Sequence, residues 1–184
     1  GCGLGRHSML FGRNGFHVRC FDISREALAR TRAWAESEGL AFDYADGDML
    51  ALPYEKESAD CILCRNVISH TDTNGVKRAV SEIGRVLKMG GECYLTLGSK
   101  ATWQERHREW PRVDENTRLC MDEGPEYEVP HFYADYALVK ELFSAFKIIW
   151  INHVEDFWEQ DGSTRSSFHY HVLVQKTAGE KEAK

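Results

Sequence analysis

Three glycines stand within the first five residues, Gly1-Cys2-Gly3-Leu4-Gly5. Alternating glycines strip the side chains from one stretch of backbone, so a ligand can approach the main chain closely; such a turn ordinarily joins a buried strand to a helix. The helix is readable at once, as Arg6 to Phe11, with Gly12, Arg13, Asn14 and Gly15 to close it. The strand that should lead into the turn is not in the chain, so the expectation is an N-terminally truncated domain whose first central strand is missing. By itself the glycine turn is a weak constraint. The residues that follow give it weight.

Phe16-His17-Val18-Arg19-Cys20-Phe21 is β-rich and ends in Asp22, which reads as a strand with an acid at its C-terminal tip. An acid there can accept hydrogen bonds from both hydroxyls of a ribose. The same side chain could instead cap the next helix, sharing that role with Ser24. The spacing from the glycine turn favours the ribose.

The rest of the chain alternates strand and helix. From Ser24 a helix is predicted to about Glu38, with Ala27, Leu28, Thr31, Trp34 and Ala35 on one face and Gly39 as its stop. Leu40, Phe42 and Tyr44 alternate as a strand that ends at Asp46-Gly47-Asp48, and Ala59 to Cys64 reads as a continuous buried strand. Val76, Ala79, Val80, Ile83 and Leu87 mark a second amphipathic helix, closed by Gly90-Gly91, and Cys93 to Leu97 is a further buried strand. This order predicts an α/β fold, a Rossmann-like, doubly wound and mostly parallel sheet. Residues 99–132 break the rhythm with Trp103, Trp110, Tyr127, Phe132 and three prolines, and read as an insertion that forms a lid or cap. A helix through Leu138, Val139, Leu142 and Phe146 follows, then an antiparallel strand pair, Lys147 to Val154 and Ser166 to Gln175, linked through Gly162. One domain is therefore expected over residues 1–176, with 177–184 as a disordered tail.

Composition narrows the partners. The net charge of −6 comes without a basic stripe, which argues against nucleic acid, and no apolar run approaches a membrane span. Six cysteines are scattered. Cys61-x-x-Cys64 falls on a predicted strand, where residues three apart face opposite ways, and no second ligand pair stands at zinc-like spacing. The cysteines are expected to be reduced, buried small hydrophobes in a cytoplasmic protein, and no metal is expected. His169 and His171 share one face of the last strand but lack a third ligand nearby.

Taken in order, Gly1 to Arg6, Asp22-Ile23-Ser24, Gly47-Asp48-Met49-Leu50-Ala51-Leu52-Pro53-Tyr54, Ala59 to Val67 and Gly84-Arg85-Val86-Leu87-Lys88-Met89-Gly90-Gly91 resemble the class I S-adenosylmethionine-dependent methyltransferases, in their small-molecule branch. The resemblance is close over residues 1 to about 98. It departs at Met89, where the family usually has proline, and at the start, where the family has a strand. It implies that S-adenosylmethionine is the cofactor and S-adenosylhomocysteine the product. Gly1, Cys2, Gly3 and Gly5 would pass the methionine part of the cofactor, whose carboxylate suits the following helix N-terminus. Asp22 and Ile23 would meet the ribose, Asp48 and Met49 the adenine, and Arg65 and Asn66 the region of the sulfonium.

Methyl transfer from a sulfonium is an in-line displacement, and alignment is the main task of the protein. A hydroxyl acceptor would also need a base. The candidates are His70, past the predicted Ala59–Cys64 strand, and His131, at the end of the insertion; each could equally be a structural hydrogen-bonder. Trp103, Trp110, Tyr127, Phe132 and Tyr133 suggest an aromatic pocket for a small-molecule acceptor, or else a satellite core beneath the insertion. Two other readings are open. An NAD(P)-dependent oxidoreductase shares the glycine turn and the acid, but wants glycine at Arg6 and leaves Gly47-Asp48-Met49 without a role. A catalytically silent cofactor-fold module serving a partner protein would instead show an apolar patch and no cleft.

Overall fold

A computed structural model of the chain describes residues 1–102, 109–160 and 162–178. It divides into two compact units, residues 1–54 and 55–184. Trp103 and residues 179–184 of the expected tail lie outside the described residues.

In the first unit, helix α1 (Arg6–Arg13) follows the glycine turn. Strands β1 (Arg19–Asp22) and β2 (Asp43–Asp46) pair in parallel, with Asp22 opposite Asp46, and α2 (Arg25–Ser37) connects them. Ser24 caps α2 by accepting the Ala27 N–H at 3.2 Å. Leu28, Thr31 and Ala35 are buried with Met9 and Cys20. Trp34 departs from the predicted inner face. It is 38% exposed and donates from its indole to Glu38 at 2.8 Å, because the long side chain can lie along the surface with its polar tip wet. Gly12 fits α1 closely, since a Cβ there would come within 2.4 Å of the Phe42 ring.

The second unit is built on β4 (Leu87–Ser99), which pairs in parallel with β3 (Ala59–Cys64) and antiparallel with β8 (Ser163–Gln175). Helix α3 (Thr73–Val86) precedes β4 and buries Val76, Ala79, Val80 and Ile83, as its periodicity predicts. The hairpin of β7 (Lys147–Gln160) and β8 is antiparallel throughout, turning at Gly162 with φ +71°. Helix α4 (Tyr136–Leu142) is capped by Asp135; Phe146, expected within it, lies beyond its end.

Three expectations about the chain are corrected. Ala59–Cys64 is a strand but not a buried one: β3 pairs only with β4 among the described residues and stands at the edge, so Cys61 is exposed. Cys2 and Cys64 are half-buried, and only Cys20, Cys93 and Cys120 are fully buried, although all six thiols are free. Gly90-Gly91 do not stop α3. The helix ends at Val86, and Gly90, at φ +79°, lies within β4. Residues 109–134 also contribute to the sheet. Strands β5 (Thr117–Leu119) and β6 (Pro130–Ala134) form a hairpin, and β6 adds to β4 in parallel at Gly98–Tyr133 and Ser99–Ala134. The mixed sheet flanked by helices is the α/β arrangement expected. No helix among the described residues is long and apolar enough to cross a membrane.

Candidate active site

The glycine turn is shaped by positive backbone angles, φ +54° at Gly3 and +84° at Gly5. A side chain at Gly5 would overlap Thr31, whose Cγ2 would lie 2.5 Å from the added Cβ. Thr31 is fully buried and donates its hydroxyl to the Gly3 carbonyl at 3.0 Å. At Gly3 the same Cβ would meet nothing within 4 Å, so the backbone there is open. Gly5 also begins α1 with no side-chain cap and no acid in the first turn. The first N–H groups of that helix thus remain available to an anion.

Asp22 is buried at the tip of β1. One carboxylate oxygen accepts the Gly3 N–H at 2.7 Å and the other the Ser24 N–H at 2.9 Å. It therefore both holds the turn and shapes the entry to α2, the second role that the sequence leaves open for it. Ile23 beside it is 77% exposed. The Gly47 N–H reaches the Asp22 carbonyl at 3.2 Å, which brings the Gly47-Asp48-Met49 turn to the same end of the β1–β2 pair. Asp48 closes that turn by accepting the Leu50 N–H at 2.9 Å, and is otherwise exposed. Gly1, Cys2, Gly3, Gly5, Asp22, Ile23, Asp48 and Met49 are thus gathered at the C-terminal ends of two parallel strands, where open α/β sheets place their ligands. Next to Gly3, Cys2 and Cys20 share a hydrogen bond that raises the Cys2 thiol, with burial adding, and lowers Cys20 to about 7.

A cavity of about 240 Å³ opens in the second unit, at the C-terminal ends of β3 and β4. Thr96 and Gly98 of β4, Asn66 and His70 from the loop after β3, His131 and Tyr133 of β6, and His169 of β8 all face it. Asn66 sits in the left-handed region, at φ +56°. A clamp holds it there: its N–H donates to the Thr96 hydroxyl at 2.8 Å, and that hydroxyl donates to the Asn66 side-chain oxygen at 2.9 Å. The rest of the loop is tied by Ser69, whose carbonyl accepts the Phe132 N–H at 2.8 Å and whose hydroxyl accepts the Gly98 N–H at 3.1 Å. Because Ser69 and Phe132 are bonded, the neighbouring His70 and His131 face each other with ring centroids 5.0 Å apart.

Glu126, from the β5–β6 loop, completes this group. Its oxygens lie 3.5 Å from His70 Nε2 and 3.3 Å from His131 Nε2. Burial holds the His131 imidazole below its ordinary pKa, the neighbouring His70 adds to this, and Glu126 opposes it. Sequence reading names both histidines and misses Glu126, one of several acids in a charged stretch. His169 also faces the cavity, with Nδ1 3.5 Å from Asp156. His171, by contrast, is bonded to the Tyr94 hydroxyl at 2.7 Å. Of the aromatic residues expected to form a pocket, Phe132 and Tyr133 line the cavity, Trp110 packs edge-on against His131 at 5.5 Å, and Tyr127 is exposed.

Residues 1–95 match the family model described as a methyltransferase domain. The chain belongs to that family. The resemblance read from the sequence motifs, to class I S-adenosylmethionine-dependent methyltransferases, therefore holds. The chain is 27% identical over 118 residues to a malonyl-[acyl-carrier protein] O-methyltransferase of Pectobacterium atrosepticum, covering 64% of this chain and 44% of that protein. It is 31% identical over 114 residues to the biotin biosynthesis bifunctional protein BioHC of Cellvibrio japonicus, covering 62% of this chain and 22% of that protein. The chain thus spans less than half the length of these curated relatives. Among solved structures, a SAM-dependent methyltransferase of Methanosarcina mazei superposes with a TM-score of 0.80 at 21% identity, over 96% of this chain and 90% of that one. An S-adenosylmethionine-dependent methyltransferase of Clostridium acetobutylicum gives 0.73 at 14%, over 96% and 82%. At these identities the likeness establishes the methyltransferase fold.

Proposed function

We propose that the protein transfers a methyl group from S-adenosylmethionine to an oxygen of a small organic acceptor. The observation that carries this reading is the family match over the residues of the glycine turn, whose geometry suits the cofactor: open backbone at Gly3, then an uncapped helix N-terminus at Gly5. Gly1, Cys2, Gly3 and Gly5 would hold the methionine part, Asp22 and Ile23 the ribose, and Asp48 and Met49 the adenine. Asp22 already accepts two backbone N–H groups, but a carboxylate has about four lone-pair sites, so it can accept further donors. Arg65 and Asn66 are proposed at the sulfonium. When bound, the cofactor supplies an electrophilic methyl group for in-line displacement by an acceptor lone pair.

The acceptor is assigned to the cavity at the ends of β3 and β4. Its lining of Ser69, Thr96, Thr102 and histidines offers hydrogen bonds to an oxygen-bearing molecule, while Phe132 and Tyr133 supply apolar wall. The relatives named as O-methyltransferases favour oxygen over nitrogen or carbon. A hydroxyl acceptor must lose its proton, and His70, Glu126 and His131, which line the same cavity, are the candidates to assist its loss. Residues 109–134 supply one wall of the cavity, in keeping with an insertion that covers the acceptor.

Two measurements test this. Calorimetry with S-adenosylhomocysteine should show binding that weakens at least tenfold in Gly3→Ala and in Asp48→Ala; unchanged affinity in both would remove the cofactor assignment. Radiolabelled methyl transfer to a panel of small carboxylic acids, phenols, thiols and amines should label an oxygen compound. Labelling confined to amines or to protein would overturn the acceptor class.

A further inference from the structure

We propose that His70, Glu126 and His131 form a binding site for a divalent first-row transition ion, zinc foremost, on the wall of the cavity. One ligand atom from each of the three residues lies within 4.8 Å of the others. Two imidazoles and one carboxylate form a donor set that zinc takes at catalytic sites, leaving a position open for water or substrate.

The separations are of the size that a shared ion sets. Metal–ligand bonds of about 2.0–2.1 Å at tetrahedral angles put neighbouring ligand atoms about 3.3 Å apart. His131 Nε2 lies 3.3 Å from one Glu126 oxygen and His70 Nε2 3.5 Å from the other, so the carboxylate spans the two rings and either oxygen can serve as the third ligand. Although Glu126 lies this close, His131 Nε2 is buried and has no hydrogen-bond partner. In a hydrogen bond the acceptor lies along the ring N–H direction. At a shared ion the two ligand atoms diverge from it, so the carboxylate oxygen sits off that axis. A buried, unpartnered ring nitrogen beside a carboxylate is the arrangement that a cation completes.

The three ligands are also held from different directions. Ser69–Phe132 backbone pairing fixes the His70 and His131 neighbourhoods together, Trp110 packs edge-on against the His131 ring, and the closed β5–β6 loop presents Glu126. His169 Nδ1 is also buried without a hydrogen-bond partner beside Asp156, but no third ligand joins that pair among the described residues, so the three-ligand group is the one at His70, Glu126 and His131. The open positions of the ion face the cavity. Resting on the methyl-transfer reading, the ion would take the acceptor oxygen there and lower its pKa, so that its proton passes to solvent before the oxygen lone pair attacks.

The test titrates the metal-free full chain with Co²⁺ and with Zn²⁺, no cofactor or acceptor being added. The expected results are one equivalent bound with micromolar or tighter affinity, a ligand-field band for Co²⁺ that Zn²⁺ displaces, and a melting temperature that rises with Zn²⁺. His70→Gln, Glu126→Gln and His131→Gln should each weaken binding at least tenfold, whereas His17→Gln, at a surface site, should not. Wild-type affinity no tighter than that of the triple variant would overturn the site. So would an unchanged Co²⁺ spectrum in all three variants. The Zn²⁺-dependent melting of the wild type tests the site even if a variant fails to fold. Because no cofactor is added, failure here leaves the methyl-transfer reading standing, and failure to methylate leaves the metal result standing.

Discussion

The two units place their candidate functional residues by opposite means. In residues 1–54 the site is main chain, a turn whose open geometry depends on side chains that glycines do not have. In residues 55–184 it is a cavity walled by side chains from strands and loops that are distant in sequence. The first arrangement is governed by φ angles and close backbone approach, which a short motif records directly. The second depends on which side chains the sheet register brings together, and no short motif records that.

The largest expected effect breaks the first arrangement. Gly5→Ala would force an L side chain into φ +84° and drive its Cβ into the buried Thr31. Overpacking and the left-handed strain together should cost about 2–4 kcal/mol. Thermal melting of this variant beside Gly3→Ala, where the added methyl meets nothing, sharpens the point. Gly3→Ala, strained at φ +54° but without a clash, should lose S-adenosylhomocysteine affinity with a smaller fall in melting temperature than Gly5→Ala, which should lose both. Equal melting temperatures would show that Thr31 does not set the turn.

The next effect attacks the second arrangement. Thr96→Val keeps the shape but leaves the Asn66 N–H without its acceptor, at a cost of about 1–3 kcal/mol in denaturant unfolding. If side-chain hydroxyls shape the cavity as described, this variant should also lower kcat or raise KM for the acceptor. Wild-type stability and kinetics would mean that the clamp is incidental.

The smallest effect is a pH dependence of stability in the same unit. Burial holds His169 and His171 below their ordinary pKa of 6.5; Asp156 opposes the shift in both. An imidazole kept neutral by the fold binds its proton more readily once unfolded. Stability should therefore be complete above about pH 6.5 and fall as the pH drops below it toward the lowered folded values. Melting temperatures between pH 7.5 and 5 check the sign, and His169→Gln should flatten the decline.

Legibility in the sequence follows the same division. Asp22 at a strand tip, Ser24 as a helix cap and the Leu28–Thr31–Ala35 face were all readable, because local spacing determines each of them. Trp34 was misplaced because an amphipathic ring satisfies helical periodicity from either side of the helix boundary. In the second unit α3 is clear in the sequence, but β6 is hidden among the prolines and charges around it, and only its pairing with β5 and β4 makes it a strand. His70 could be named from its place after a predicted strand, and His131 from its place at the end of the insertion. Their meeting could not, because it depends on one long-range hydrogen bond between Ser69 and Phe132. Glu126 carried no signal that separated it from Asp122, Glu123 or Glu128.

The β5–β6 loop that carries Glu126 is closed on itself. The Cys120 N–H reaches the Val129 carbonyl at 2.9 Å, and the Glu128 N–H reaches the Cys120 carbonyl at 2.8 Å. A loop sealed at its own base can change in length and composition without disturbing the strands on either side. In evolutionary terms such a loop is free to be exchanged as a unit, while the glycine turn lies far upstream in the chain. A lineage could replace the residues between Cys120 and Glu128, reshape that wall of the cavity, and keep its glycine turn unaltered.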